Sequence, residues 1–184
     1  MGPFVRSAPV PSGSGAAAWR LRRARPADAE AWHALQEAIY AEGRAFVGDR
    51  APSAGALAAR LRSLEPDQGV VLFAEAAGAP IGWAEAYRLG SKRLAHVVML
   101  TIAVADGWRG RGVGTALMAE LEAWARRAGV RKLQLHVRAG NEGAIALYRR
   151  LGYAVEGVLV GQVAADGGYE DEWVMARAPG AEPG

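Results

Sequence analysis

Eight residues near the middle of the chain, Trp108-Arg109-Gly110-Arg111-Gly112-Val113-Gly114-Thr115, constrain its folding more than any other stretch. An apolar run, Val97 to Val104, precedes them and reads as a strand, while Ala116 to Ala128 follows and reads as a helix. Three glycines at alternate positions remove the β-carbons that would keep a ligand off the backbone, and the amides of a first helical turn have no intrahelical acceptor. The partial positive charge of a helix N-terminus adds to those donors. Arg109 and Arg111 bring full charges beside them, so a phosphate or pyrophosphate is the natural guest. A Walker loop is excluded, because no lysine lies between Arg93 and Arg131. A dinucleotide fingerprint is excluded too, since Thr115 stands where its last glycine is needed and the stretch sits mid-chain. The pattern [RQ]-x-x-G-x-[GA] is met by Arg109, Gly112 and Gly114. Taken alone, a tight strand-to-helix turn with two solvated arginines would read the same way.

With 184 residues and 51% hydrophobic content, the chain can build one well-cored domain and is short for two. It has no cysteine, which removes disulfides, a thiol nucleophile and thiolate metal sites, and fits a reducing compartment. His33, His96 and His136 lack ligand spacing, so no metal site is expected. The net charge of +3 comes from arginines spread along the chain rather than a block, so no nucleic-acid tract is indicated. No apolar run approaches the roughly 20 residues of a membrane span, and the first residues lack the apolar centre of a signal peptide. A cytoplasmic protein without membrane contact is expected. Residues 1–18, rich in Pro, Ser and Gly, are expected to be a disordered leader, 19–177 the folded domain and 178–184 a flexible tail.

Trp19 to Arg22 reads as a short first strand closed by Pro26. Asp28 offers an N-cap to a helix running to Glu42 on Trp32, Leu35 and Ile39, and Ser53 caps a second helix on Leu57, Leu61 and Leu64, stopped by Pro66. Val70 to Glu75 and Ile81 to Leu89 form a hairpin across Ala77-Gly78-Ala79-Pro80. Arg93 to Val104 reads as a long third strand of this antiparallel set. The helix after the glycine loop buries Leu117, Leu121, Trp124 and Ala128, and Gly129 ends it. Lys132 to Arg138 is a strand with Leu133, Leu135 and Val137 on one face and Gln134, His136 and Arg138 on the other; strand, helix, strand implies a parallel pair. Asn141 caps a short helix carrying Ile145, Leu147, Tyr148 and Leu151, and Tyr153 to Gln162 and Tyr169 to Ala176 close the chain as two strands around Asp166-Gly167-Gly168.

The loop at Arg109, Gly112 and Gly114 resembles the acetyl-CoA pyrophosphate loop of the GNAT superfamily of N-acetyltransferases. A second block is similar to the same superfamily: Leu133-Gln134-Leu135-His136-Val137, Asn141, Ala144-Ile145-Ala146-Leu147-Tyr148, Leu151-Gly152-Tyr153 and Glu156-Gly157. The resemblance covers roughly Trp19 to Arg177 and is strongest from Ile102 to Gly157. It implies an α/β (α+β) fold, with a mixed, mostly antiparallel sheet of about seven strands flanked by four helices. The fourth and fifth strands, here Leu94 to Val104 and Lys132 to Arg138, would splay apart to admit the pantetheine arm. An extended arm with two amides can pair with the free backbone of Ile102, Ala103 and Val104 as an added strand would, and the pyrophosphate would meet the backbone of Arg109, Gly110, Arg111, Gly112, Val113, Gly114 and Thr115. Asn141, Ala144 and Tyr148 complete the acetyl-CoA contacts that the resemblance implies.

The implied chemistry is attack of an amine on a thioester, which needs loss of the amine proton, a donor for the oxyanion and an acid for the thiolate. The resemblance assigns the oxyanion donor to a backbone amide at or near Ile102 and the acid to Tyr148, which read alone is a core aromatic. Asn141 read alone is a plain N-cap, and the two roles are compatible. Relatives often carry a glutamate base where this chain has Met99, which cannot accept a proton. Glu85, on the face of its strand shared with Trp83 and Tyr87, is the first substitute, and His96 the second; an ordinary solvated or hydrogen-bonded side chain remains open for each. A water chain would need neither.

The function implied is acetyl transfer from acetyl-CoA to a primary amine of a small molecule, an amino acid or a peptide N-terminus. Direct attack in a ternary complex is favoured, since no cysteine can carry the acetyl group. Glu37, Glu42, Asp49, Asp171 and Glu172 would draw in a cationic acceptor, though they also suit a merely solvated surface. A CoA-binding regulatory or interaction module without turnover is the alternative that Met99 sustains, and a nucleic-acid partner would rest on the basic balance alone. Dimerisation through the late strands is common in the superfamily, so a homodimer is compatible with the resemblance.

Overall fold

The protein is described from a computed structural model, in which residues 18–48, 50–165 and 167–180 are placed. The expected leader, Ala18 excepted, lies outside these residues, as do Asp49, Asp166 and the end of the expected tail. In chain order the elements are β1 (Arg20–Arg23), α1 (Ala29–Tyr40), α2 (Ala54–Ser63), β2 (Gly69–Ala76), β3 (Ala79–Arg88), β4 (Val97–Val104), α3 (Val113–Arg127), β5 (Lys132–Arg138), α4 (Glu142–Arg150), β6 (Ala154–Ala165) and β7 (Gly168–Arg177).

One seven-stranded sheet runs β1-β2-β3-β4-β5-β7-β6. Among the described residues only β4 and β5 are parallel. Their pairing stops after three residues, Val97 to Met99 against Lys132 to Gln134, although β4 continues to Val104 and β5 to Arg138. On its other edge β5 pairs with β7 throughout, from Leu133 against Arg177 to Arg138 against Glu172. The sheet therefore splits, and the backbone of β4 beyond Met99 faces a gap instead of a neighbour.

Period-two alternation distributes the core to both faces. Val70, Leu72 and Ala74 of β2 join Leu117, Leu121, Leu133 and Tyr148 under α3 and α4, while Val71 and Phe73 join Trp32, Ile39, Leu57 and Trp83 under α1 and α2. Leu117, Leu121 and Leu133 are wholly buried, and each such leucine contributes about 1.5–3 kcal/mol.

Several boundaries differ from the sequence reading. The third strand does not start at Arg93: the Ser91 hydroxyl accepts from the Arg93 amide at 3.3 Å and holds Lys92–Leu94 in a 3-10 turn, so β4 begins at Val97. The helix after the glycine loop begins at Val113, three residues before Ala116, because Gly112 turns the chain directly into it. Asp28 does not cap α1 with its side chain; its carboxylate accepts from the Arg25 amide at 2.6 Å and pairs with Arg22. Ser53 and Asn141 do cap, accepting from the Ala56 and Ala144 amides at 3.3 Å. Both late strands run longer than expected, β6 to Ala165 and β7 from Gly168. Ala128, expected on a buried stripe, is only half-buried.

Candidate active site

The split opens into a cleft of about 1110 Å³. Its floor is β4 from Met99 to Val104, one wall is β5 from His136 to Arg138, and the N-termini of α3 and α4 close one end. The segment Glu42 to Val47, after α1, also lines it, tied by Glu42 to Arg109 and by the Gly43 carbonyl to Arg138.

At the first end Gly112 caps α3 with φ +81°, a left-handed conformation that only glycine adopts without strain. The first intrahelical bond runs from the Ala116 amide to the Gly112 carbonyl at 3.0 Å, leaving the amides of Val113, Gly114 and Thr115 without intrahelical acceptors. A β-carbon on Gly112 would meet nothing within 4 Å, so this corner is open to a ligand. One on Gly114 would come 3.2 Å from Leu147 Cδ2, so that glycine lets α4 approach α3. Open donors at a helix N-terminus, beside an unpaired strand backbone, suit a pyrophosphate carrying an amide-containing arm.

Ile102, Ala103, Val104, Arg109, Gly110, Gly112, Gly114, Thr115, Asn141, Ala144 and Tyr148 all line the cleft. Arg111 and Val113 do not: the Arg111 guanidinium lies over the Trp108 ring at 5.4 Å, and Val113 is buried in the core. The Arg109 side chain is committed within the protein. Its Nε donates to the Val104 carbonyl at 2.9 Å, Nη2 to both Glu42 oxygens at 2.8 and 2.7 Å, and Nη1 lies 3.4 Å from Asp106.

Tyr148 presents one edge to the cleft from a ring that is 5% exposed and tilted against Tyr153. Burial pushes its phenol far above the usual tyrosine range, so it keeps its proton at neutral pH. Glu85 does not line the cleft. It lies opposite Thr101 in the β3–β4 ladder, with Arg60 Nη2 3.0 Å from its Oε2, though that contact is not aligned as a hydrogen bond. Burial raises its pKa and the Arg60 charge opposes the rise. His96 stands exposed at the closed end of the split, where its carbonyl accepts from the Arg131 and Lys132 amides at 2.9 and 3.1 Å. Neither sequence-based candidate for the base reaches the cleft, whereas Met99 does.

Two residues not singled out for catalysis do reach it. His136 projects from β5, and its Nδ1 is 3.3 Å from Glu172 Oε2 on β7. Glu172 is 7% exposed, and His136 is its sole partner among the described residues. The alternation along Lys132–Arg138 already placed His136 opposite the core face; nothing local in the sequence joined it to Glu172, 36 positions away. Arg138, next on that face, is taken by Glu170 Oε2 at 2.7 and 3.0 Å and by the Gly43 carbonyl at 2.6 Å.

The family described as Acetyltransferase (GNAT) matches residues 30–153. The chain is 32% identical over 145 residues to aminoglycoside N(6')-acetyltransferase type 1 of Stenotrophomonas maltophilia, covering 75% of this chain and 88% of that protein. It is 35% identical over 118 residues to the N-alpha-acetyltransferase RimI of Mycobacterium tuberculosis, covering 64% of this chain and 71% of that one. A phosphinothricin acetyltransferase from Sinorhizobium meliloti, solved in complex with acetyl-CoA, superposes with a TM-score of 0.80 at 25% identity over 90% of this chain and 93% of that one. Sequence, split sheet and glycine-capped helix agree: the chain belongs to the GNAT family and is an N-acetyltransferase.

Proposed function

We propose that the protein transfers the acetyl group of acetyl-CoA directly to a primary amine of a small molecule, an amino acid or a peptide N-terminus, with both substrates bound at once. The observation that carries this reading is the continuous cleft that joins the glycine-capped end of α3, the unpaired half of β4 and the Glu42–Val47 segment. The free amides at Val113 to Thr115 hold the pyrophosphate, and the backbone of Ile102, Ala103 and Val104 pairs with the pantetheine amides. Asn141 and Ala144, at the start of α4, border the same arm. An amide near Ile102 supports the developing oxyanion, and Tyr148 gives its proton to the leaving sulfur. The absence of cysteine from the sequence supports direct attack over an acetyl-cysteine intermediate, and fits a cytoplasmic setting.

The test is CoA thiol release against amino acids, polyamines, aminoglycosides and short peptides, for the wild type and Tyr148→Phe. Turnover with one amine class is expected, with kcat about 10²–10³-fold lower in the variant and the KM for acetyl-CoA unchanged. CoA binding without thiol release from any amine would refute transfer and leave a binding module.

A further inference from the structure

We infer that His136 takes the proton from the acceptor amine and that Glu172 is its positioning residue, an assignment that rests on the acetyl-transfer reading above. A carboxylate as buried as Glu172 is costly unless a donor answers it, and among the described residues His136 is the donor present. That bond places the imidazole proton on Nδ1. Nε2 then keeps its lone pair, has no partner among the described residues, and belongs to a ring that lines the cleft.

The other charged groups around the cleft are already engaged or misplaced for this task. Glu42 is held by Arg109 and Arg44, Asp106 by Arg109, and Arg138 by Glu170. Glu142 lies in the first turn of α4, at the cofactor end, and Glu85 lies outside the cleft with Arg60. What remains is a histidine, whose Nε2 lone pair can accept a proton and release it in each cycle.

The step balances with Tyr148. The ammonium form of the acceptor gives one proton to Nε2, which passes it to water. The freed amine nitrogen then forms its bond to the acetyl carbon as the carbon–sulfur bond breaks. Sulfur takes the proton of the Tyr148 hydroxyl, the new amide nitrogen loses its extra proton to Nε2, and water returns that proton to the Tyr148 oxygen. One amine and one thioester become one amide and one thiol, with both side chains restored.

The experiment uses the full chain with acetyl-CoA and the amine that the wild type turns over fastest. His136→Gln should lower kcat about 100-fold or more, leave the KM for acetyl-CoA within about twofold, and remove the acid limb of the kcat–pH profile. Glu172→Gln should keep that limb but move it to lower pH, because the imidazolium loses its carboxylate. Added imidazole should restore turnover to His136→Gly in proportion to its free base, which a histidine needed only for folding would not show. Wild-type kcat and an intact acid limb in His136→Gln would overturn the assignment while leaving acetyl transfer standing. A wild type that releases no thiol with any amine would remove both.

Discussion

Gly112 and Gly78 form a matched pair for testing whether the glycine loop meets a phosphate. Both residues are left-handed, at φ +81° and +83°, and a β-carbon on either would meet nothing within 4 Å. They differ in place: Gly112 caps α3 and lines the cleft, while Gly78 lies in the β2–β3 turn away from it. An alanine forced into this conformation costs about 1–2 kcal/mol, of which about 0.4–1 is recovered from the stiffer unfolded chain. Gly112→Ala and Gly78→Ala should therefore each lose about 1 kcal/mol, a fall of roughly 2–4 °C in Tm for a chain of this size. Only Gly112→Ala also puts a methyl group where a phosphate would approach the first-turn amides. A hydrogen bond to a charged group is worth about 1.5–3 kcal/mol, so losing one should weaken CoA binding by roughly tenfold to a hundredfold. Differential scanning calorimetry reads the first effect and isothermal titration with CoA the second. Equal CoA affinities in wild type and Gly112→Ala, beside the expected fall in Tm, would refute phosphate binding at this amide turn.

Glu42→Gln should cost under about 1 kcal/mol of stability, because the Arg109–Glu42 pair is part-exposed and screened. The same change frees the Arg109 charge toward the anion site, so CoA should bind about two- to fivefold tighter by titration; weaker binding would show that the pair acts as a strut. Glu75, 6% exposed, is held below the usual carboxylate range by hydrogen bonds from Arg22 and Arg20. Its contribution is present above the ordinary value near pH 4.3 and is lost as pH falls through its lower folded-state pKa. Glu75→Gln should accordingly be about 1–3 kcal/mol less stable at pH 7, a gap that closes in urea titrations as pH falls below the ordinary carboxylate range; a gap independent of pH would refute the ion-pair account.

The parts of the molecule that were legible in sequence are those whose cause is local. The glycine loop, the Asn141 cap and the β2–β3 hairpin each follow from residues within a few positions of one another, although the hairpin turn is Ala77-Gly78 alone, with Ala79 and Pro80 already in β3, and the helix starts three residues early. The start of β4 was not legible, since one Ser91 hydroxyl diverts an otherwise strand-like run into a turn. Asp28 was misread because two arginines compete for the carboxylate that would have capped α1, and one of them sits on β1. At the cleft, periodicity correctly put Glu85 on the face shared with Trp83 and Tyr87, but it carries no information about Arg60 of α2, which covers that carboxylate. The Arg109–Glu42 pair spans 67 positions and the His136–Glu172 pair 36, and neither separation has a sequence signature.

The last of these pairs is a consequence of strand order rather than of strand chemistry. Because β5 carries β4 on one edge and β7 on the other, and β4 leaves after Met99, the His136 end of β5 keeps β7 while its other edge faces the gap. Glu172 faces Arg138 in that ladder, yet its carboxylate meets His136, two residues earlier, because Arg138 turns instead to Glu170 and to the Gly43 carbonyl. Arg138 thus ties the Glu42–Val47 segment to the strand that carries the histidine. A change of register by one residue between β5 and β7 would turn Glu172 to the opposite face and break both contacts at once. The cofactor groove and the histidine–carboxylate pair therefore meet on β5, whose one edge faces the gap while the other holds β7.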